Sequence, residues 1–297
     1  MKKTLLFCTL LLSISIQSQV ELVKDIFMGS SPSNPVNLIS YNGHIYFSAK
    51  YDTTRDAVYE SDGTEAGTTV FYDFTDGDYF GFAVPIVFNG ELYFSTNPKN
   101  TTGNLTKTDG ITITTVADTF PGGVGDFVNG LIIYNNELYF SADVSFSEKQ
   151  QLFKTDGTAD GTVQVISGVV TSNLTDVRYG KAIYNEKLYF TGNDGSNGKE
   201  LWVTDGTTAG TMMVKDLRPG SESSDPHNFQ VANGLLFFNA RNDSDGRELW
   251  VSDGTEAGTQ MVKDIYPGSS SSDPDEMMTY NDRLYFAARD SNFNEEL

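Results

Sequence analysis

The residues best suited to chemistry are carboxylates and amides that recur in loops between predicted strands. Two such loops, GNDGSNGKE and RNDSDGRE, run into an ELW triplet, and two others, PGSESSDP and PGSSSSDP, follow a VKD triplet. Calcium binds several oxygen ligands held close together, so these loops offer a candidate cation site. The candidate ligands are Asp194, Asn197, Asp225, Asp243, Asp245 and Asp273. The same residue types are common in ordinary turns, where they bond their own main chain. The alternative that these loops are only turns therefore stays open.

We assign no catalytic residue. His44 and His227 lie at unrelated repeat positions, and the sequence has no HExxH, GxSxG or GxxxxGK motif. A glycosidase needs only two carboxyl groups at a suitable separation, and the 40 Asp and Glu residues leave room for such a pair. Most of these acidic residues occupy repeated positions, whereas catalytic groups are usually singular. We therefore expect a protein that is not an enzyme and has no cofactor other than the calcium considered above.

The charge balance excludes some classes of partner. The chain has 20 Lys and Arg against 40 Asp and Glu, a formal net charge of −20 and no basic run. Phosphate backbones bind proteins through Lys and Arg, so nucleic acid is not an expected partner. Anionic membrane surfaces are disfavoured for the same reason.

The N-terminus is typical of an export signal. Lys2 and Lys3 precede an apolar stretch over residues 4–16, and the small Ser18 follows. Residues 1–18 are therefore predicted to be a signal peptide, and residues 19–297 the mature domain. The apolar stretch is shorter than the roughly 20 residues of a membrane-spanning helix, so we expect a protein that is secreted or at the cell surface, without membrane insertion. Cys8, the only cysteine, lies in this signal.

The mature domain is an internal repeat of about 48 residues, the spacing at which a DGT or DGI turn recurs. The Asp of that turn is found at Asp62, Asp109, Asp156, Asp205 and Asp253. Each unit begins with a hairpin such as ISYNGHIYFS, in which Asn-Gly between apolar runs favours a type I′ turn. A third strand such as ELWVT ends at the DGT turn, and a fourth such as MVKDI follows it.

Four short strands per repeat, with no helical apolar period, predict an all-β fold. We interpret it as a β-propeller of about six four-stranded blades. A solenoid or a row of sandwiches is the competing all-β architecture, although solenoid coils are usually shorter than this repeat and sandwich domains about twice as long.

The two ends of the chain carry parts of a repeat. Residues 21–26, ELVKDI, copy the fourth strand without a preceding hairpin, and residues 278–287 form a hairpin near the end. We predict that residues 21–26 pair with the last hairpin around residues 284–286 and close the last blade, which removes exposed strand edges. The alternative is that the chain is a fragment of a longer array with more blades.

The DGT turn has a structural interpretation. Its Asp is expected to bond backbone amides, its Gly to adopt a positive φ, and its Thr hydroxyl to bond across to the next strand. Trp202 and Trp250, three residues before the Asp in their units, are expected to pack between neighbouring blades rather than to stack on sugars.

The units ELWVTDGTTAGT and ELWVSDGTEAGT, followed by VKDL or VKDI and PGS, resemble the ELWxxDGT repeat of exported Bacteroidota proteins. Members of that family are usually long, are predicted to be propeller-like, and often end in a sorting domain for type IX secretion. The resemblance therefore implies an exported propeller, and it implies no activity. We expect a monomeric binding, adhesion or scaffolding module for an unknown protein or glycan ligand. The alternative is a carbohydrate-active enzyme, or its accessory domain, with acidic residues in the propeller mouth.

Overall fold

The computed structural model describes residues 21–53, 56–73, 85–96, 104–119, 128–144, 150–171, 180–292 and 294–297. The predicted signal peptide, residues 1–18, lies outside this part. Within it, every element whose bounds are given is a strand, and all the pairings are antiparallel. The chain therefore has an all-β fold.

The strands follow the sequence repeat, and we name the six groups units 1 to 6. Unit 1 contains β1 (Val36–Tyr41), β2 (His44–Lys50), β3 (Asp56–Ser61) and β4 (Thr69–Asp73). Unit 2 contains β5 (Ile86–Phe88), β6 (Glu91–Thr96), β7 (Asn104–Thr108) and β8 (Ile113–Ala117). Unit 3 contains β9 (Asn129–Tyr134), β10 (Glu137–Ala142), β11 (Gln151–Thr155) and β12 (Val163–Gln164).

The second half of the chain repeats this order after a short strand, β13 (Val170–Thr171). Unit 4 contains β14 (Lys181–Tyr184), β15 (Lys187–Asn193), β16 (Lys199–Thr204) and β17 (Met212–Lys215). Unit 5 contains β18 (His227–Ala232), β19 (Leu235–Arg241), β20 (Arg247–Ser252) and β21 (Gln260–Lys263). Unit 6 contains β22 (Asp275–Tyr280), β23 (Arg283–Arg289) and β24 (Glu295–Glu296).

All six predicted hairpins are present, and each turns on two residues with positive φ. Asn42 and Gly43, for example, have φ values of 48° and 80°, and Asn233 and Gly234 have 48° and 70°. This is the geometry that a type I′ turn requires. In units 3, 4 and 6 an Asn, Glu or Asp takes the second position in place of Gly.

The core lies between successive units. Tyr41 and Tyr46 of unit 1 share a buried cluster with Leu92 and Phe94 of unit 2. Tyr184 of unit 4 occupies the same position in a cluster with Leu236 and Phe238 of unit 5. The alternating apolar residues of the hairpins in units 1 to 4 thus bury the apolar face of the next sheet.

One short strand, β13, pairs with strands of two different units, which was not predicted. Val170 in β13 pairs with Gln151 in β11 and with Asn193 in β15, so units 3 and 4 form one nine-stranded sheet. Elsewhere among the described strands, the sheets of the units are separate.

The predicted closure of the last unit is not realised in this structure. Residues 21–26 form no strand, and the last sheet contains only β22, β23 and β24. Instead, Lys24 Nζ donates to Thr68 O at 2.6 Å, and Ile26 packs on the cluster containing Phe47. The segment therefore lies on unit 1, because its lysine and its apolar side chain find partners there.

Candidate functional site

The candidate site is the edge of the sheets where the linkers between units meet the loops that precede each ELW strand. We call it the linker rim and define it by residues 193–199 and 241–247 and by the linkers 216–226 and 264–274.

A buried glutamate holds each of these linkers. Glu200, the Glu of the first ELW triplet, is fully buried. Its Oε1 accepts a hydrogen bond from Ser224 N at 3.0 Å, and its Oε2 accepts from Leu217 N at 2.9 Å and Ser224 Oγ at 2.5 Å. One side chain thus fixes both ends of the linker 217–224.

The same arrangement recurs 48 residues later. Glu248 is fully buried and accepts from Ser272 N at 2.9 Å, Ile265 N at 3.0 Å and Ser272 Oγ at 2.5 Å. The ELW glutamate therefore holds the PGS linker in place. The sequence signal that could have revealed this role is the recurrence of a Ser 24 residues after the Glu.

Burial raises the pKa of Glu200 to about 7, against the opposing effect of its three hydrogen-bond donors. The pKa of Glu248 is raised for the same reason. Perturbed carboxyl pKa values often mark catalytic acids. Here each carboxyl group accepts three hydrogen bonds from its own chain.

Two glycines bring the loops against the linkers. Gly198 and Gly246 have φ values of 70° and 68°, and a Cβ on either residue would collide with the linker backbone at Glu222 or Ser270. Only glycine satisfies both the positive φ and the close approach.

A row of alternating charges crosses this rim from unit 4 to unit 6. Lys199 Nζ lies 3.6 Å from Asp225 Oδ1, and Arg247 lies 3.9 Å from a carboxylate oxygen of both Asp225 and Asp273. Arg289 Nη1 continues the row, 3.3 Å from Asp273 Oδ2. Apart from Arg247, whose side chain is 9% exposed, these side chains are 40 to 51% exposed.

Arg247 is the central and most buried member of the row. Its Nη1 donates to Asp225 O at 2.9 Å and to Asn239 Oδ1 at 3.4 Å. His227 Nδ1 lies 2.8 Å from the same carbonyl oxygen, and burial lowers the pKa of His227. The two aspartates that flank Arg247 have φ values of 46° and 44°, an uncommon conformation for residues other than glycine.

The structure does not bring the six candidate metal ligands together. Three of them, Asp194, Asn197 and Asp245, have partners within their own loops. Asp194 accepts from Ser196 N and Asn197 N at 2.8 and 2.9 Å, and Asp245 accepts from Asn242 Nδ2 at 2.7 Å.

The other three candidates form ion pairs. Asp243 Oδ1 accepts from Arg218 Nε at 2.6 Å, and Asp225 and Asp273 flank Arg247. In the described part of the chain, no group of three or more His, Cys, Asp or Glu is placed to hold a metal ion. Calcium binding by these residues stays a prediction without a formed ligand cluster.

The DGT turns lie at the opposite edge, and their side chains bond within the turn. Asp205 Oδ1 accepts from Thr207 N at 2.9 Å and from Thr207 Oγ1 at 2.7 Å, which lowers the pKa of Asp205. The expected bond from Asp to the backbone is confirmed. The expected bond from Thr to the next strand is wrong, since Thr207 Oγ1 bonds Asp205 and accepts from Gly210 N at 3.0 Å.

The two glycines of the longer motif DGTxxGT have different roles. Gly206 and Gly254 have φ values of 91° and 92°, as predicted. Gly210 and Gly258 have ordinary φ values, but a Cβ on either would overlap the carboxylate of Asp205 or Asp253. This second glycine was missed, because its need is for space rather than for a special φ.

The two tryptophans are packed as predicted. Trp202 and Trp250 are each 6% exposed. Trp202 shares a cluster with Tyr134 of unit 3, and Trp250 shares one with Tyr184 of unit 4. Neither ring forms a platform for a ligand.

Comparisons with known proteins support the fold alone. No family model matches the chain, and no curated protein matches it. Among solved structures, a puromycin hydrolase is similar with a TM-score of 0.53 and 12% identity, covering 86% of this chain and 42% of its own. A puromycin-hydrolyzing peptidase of Mycobacterium tuberculosis is similar with a TM-score of 0.53 and 11% identity over the same shares.

These structures have β-propeller-like domains, so the fold of this chain is propeller-like. The chain spans less than half the length of either. In the described residues, no helix is long and apolar enough to cross a membrane.

Proposed function

We propose that the protein is an exported, non-catalytic propeller of about six blades that binds a protein or glycan ligand at or outside the cell surface. The charged row of the linker rim carries this proposal. It presents Lys199, Asp225, Asp273 and Arg289 as partly exposed groups on a backbone that Glu200 and Glu248 hold in place. A rigid polar surface of this kind suits a polar ligand, because little side-chain and loop freedom is lost on binding.

The use of the repeated carboxylates supports a role in binding rather than in catalysis. Glu200 and Glu248, whose raised pKa values would suit an acid catalyst, each accept three hydrogen bonds from their own linker. The aspartates of the DGT turns are likewise bonded to their own turns. The puromycin hydrolases share the fold, and their activity is not carried over to this chain.

The test is binding of the purified protein to an array of polysaccharides and to extracts of surface proteins. Lys199→Ala combined with Arg289→Ala removes two exposed cations of the row and should weaken binding at least tenfold. Lys154→Ala is the matched control, because Lys154 pairs with Glu137 beside a hairpin turn, away from the linker rim. Equal binding by the double variant and the control would contradict the proposal.

The alternative is a carbohydrate-active enzyme. The observation that supports it is that two carboxylates, Asp225 and Asp273, lie on either side of Arg247. It predicts hydrolysis of a polysaccharide on the array. It also predicts that Asp225→Asn or Asp273→Asn stops turnover while binding persists. If the protein hydrolyses a polysaccharide and either substitution abolishes that hydrolysis, the enzyme alternative replaces the binding proposal.

A further inference from the structure

Arg247 has one edge of its guanidinium group that makes no hydrogen bond within the described part of the chain. Its side chain is 9% exposed, and its Nη1 donates to Asp225 O at 2.9 Å and to Asn239 Oδ1 at 3.4 Å. Its Nε and Nη2, whose N–H groups point side by side along the other edge, donate to no described residue. Arginine always carries its proton and presents its donors in a fixed fork. Two donors of a nearly buried cation are therefore left for another partner.

Two carboxylates flank this edge at distances too long for hydrogen bonds. Arg247 Nη2 lies 3.9 Å from Asp225 Oδ2, and Arg247 Nε lies 3.9 Å from Asp273 Oδ1. A hydrogen bond between a charged nitrogen and a carboxylate is about 2.7 to 2.9 Å long. A polar contact longer than about 3.5 Å leaves room for a bridging oxygen atom. We call the space between the Arg247 edge and the two carboxylates the arginine gap.

The main chain keeps the two aspartates at this distance from the arginine. Each aspartate follows the serine that an ELW glutamate holds through two hydrogen bonds. In addition, Asp225 N donates to Lys199 O at 3.1 Å, and Asp273 N donates to Arg247 O at 3.2 Å. The arginine gap is thus preorganised, which lowers the conformational entropy that an occupant must overcome.

The outer cations of the charged row orient the two carboxylates. Lys199 Nζ lies 3.6 Å from Asp225 Oδ1, and Arg289 Nη1 lies 3.3 Å from Asp273 Oδ2. One oxygen of each carboxylate faces an outer cation, and the other oxygen faces Arg247. The arginine gap therefore contains two N–H donors and two carboxylate acceptors.

The charges around the arginine gap select a neutral occupant. A ligand anion would meet the carboxylates of Asp225 and Asp273 on a chain of net charge −20. A ligand cation would meet the guanidinium group of Arg247. The occupant must instead accept from the arginine and donate to an aspartate. A hydroxyl group does both, because it has one donor and two acceptor lone pairs.

Two hydroxyl groups on adjacent carbon atoms match the whole set of protein groups. One hydroxyl accepts from Arg247 Nη2 and donates to Asp225, and the other accepts from Arg247 Nε and donates to Asp273. A single amide group would satisfy one N–H and one carboxylate and leave the other two without a partner, which costs binding energy. Adjacent free hydroxyls are a general property of neutral sugars.

We propose that the arginine gap binds a neutral glycan through a pair of adjacent hydroxyls, with Arg247 as the central donor. This inference rests on the proposed function, because it names the ligand class of the same rim. The side chains of Asp225 and Asp273 are 40% and 45% exposed, so the arginine gap opens to solvent at the linker rim.

Binding to purified polysaccharides tests the ligand class. Affinity gel electrophoresis compares dextran, pullulan and galactomannan, which are neutral and have adjacent free hydroxyls, with laminarin, a neutral glucan whose inner sugars have no adjacent pair. Dextran whose hydroxyl pairs have been cleaved with periodate and then reduced is a second control. We expect at least one of the first three to retard the protein, with laminarin and the cleaved dextran at least tenfold weaker. Retardation by none of the three, or equal retardation by laminarin, overturns the proposal.

Two variants test the residues with the glycan that retards the protein. Asp225→Asn combined with Asp273→Asn removes both charged acceptors, and Asn tolerates the positive φ of these positions. Arg247→Lys keeps the positive charge and removes the pair of parallel N–H groups. Each variant should bind at least tenfold more weakly.

The matched control is Asp160→Asn combined with Asp282→Asn. Both of these residues are exposed on turns at the opposite edge, and Asp282 also has a positive φ, of 57°. The control should bind as the unchanged protein does. The melting temperature establishes that each variant is folded, and the double Asn variant decides the outcome if Arg247→Lys does not fold. Unchanged glycan binding by the double Asn variant overturns the proposal.

The same variants separate this inference from the proposed function. Suppose that Lys199→Ala with Arg289→Ala weakens binding to a protein or an acidic polysaccharide, and that the double Asn variant binds this partner unchanged. The linker rim is then a binding surface, and the glycan site in the arginine gap is refuted. If no variant of the charged row changes binding to any partner, both proposals are refuted.

Discussion

Glu200 carries a carboxyl group that ionises less readily in the folded chain than in the unfolded one. Its pKa is raised from 4.5 to about 7, so the folded state binds its proton more tightly. The free energy of unfolding should therefore fall as pH rises from about 4.5 to about 7, with a slope of at most about 1.4 kcal/mol per pH unit for this proton. Denaturant titrations at several pH values should show this slope, and Glu200→Gln should flatten it. An unchanged slope in that variant would assign the pH dependence to other groups.

Gly210 is required for space rather than for conformation. We expect Gly210→Ala to lower the free energy of unfolding by more than the roughly 1 kcal/mol that a side chain costs at a positive φ. Gly220→Ala is the comparison, because Gly220 has a φ of 108° and open space around its Cβ position.

The clash at Gly210 has one partner, the carboxylate of Asp205. Adding Asp205→Ala should therefore recover part of the loss caused by Gly210→Ala, which a double-mutant cycle measures. Additive losses would show that the two residues act independently.

At the scale of elements, the fourth strand stabilises the fold through its lysine. Lys215 Nζ donates to Thr259 O of the next unit at 2.6 Å. Lys215→Met should lower the free energy of unfolding by about 1.5 to 3 kcal/mol, the net value of a hydrogen bond made by a charged group. Lys263→Met is the matched control, because Lys263 occupies the same motif position, is exposed and makes no hydrogen bond to a described residue. Equal losses in the two variants would attribute the effect to a property that both lysines share, such as solvation of the side chain, rather than to the hydrogen bond of Lys215.

The hairpins and the third strands were predictable because local signals determine them. Asn-Gly or a related pair fixes each turn, and apolar alternation fixes each strand, as at Asn42 and Asn233. The turn at Asp205 was predictable for the same reason, since its Asp and Gly act on their own backbone.

What was missed depends on contacts between distant residues. The role of Glu200 requires the linker 17 to 24 residues away to fold back on it. The pairing of β13 with two units leaves no periodic pattern in a two-residue strand. Residues 21–26 match the fourth strand in sequence, yet a strand needs a neighbouring edge, and sequence similarity does not supply one.

At the scale of the whole molecule, the net charge of −20 should oppose the compact state by self-repulsion. Raising the ionic strength from about 0.01 to about 0.1 M shortens the Debye length from roughly 30 to 10 Å. We therefore expect the urea midpoint to rise with sodium chloride. A falling midpoint would show that the ion pairs of the linker rim outweigh the repulsion.

The bridging strand β13 has a consequence for how the chain responds to mechanical load. The strand β13 joins units 3 and 4 into one sheet, whereas the other described units are separate sheets, connected by side-chain packing and by hydrogen bonds of their linkers. Pulling on the two ends of the chain should therefore extend it in unequal steps. The seams between separate sheets should part at lower force, and units 3 and 4 should give way together in one step of double length. A protein that holds a ligand against flow at a surface would thus keep its central pair of units folded longest.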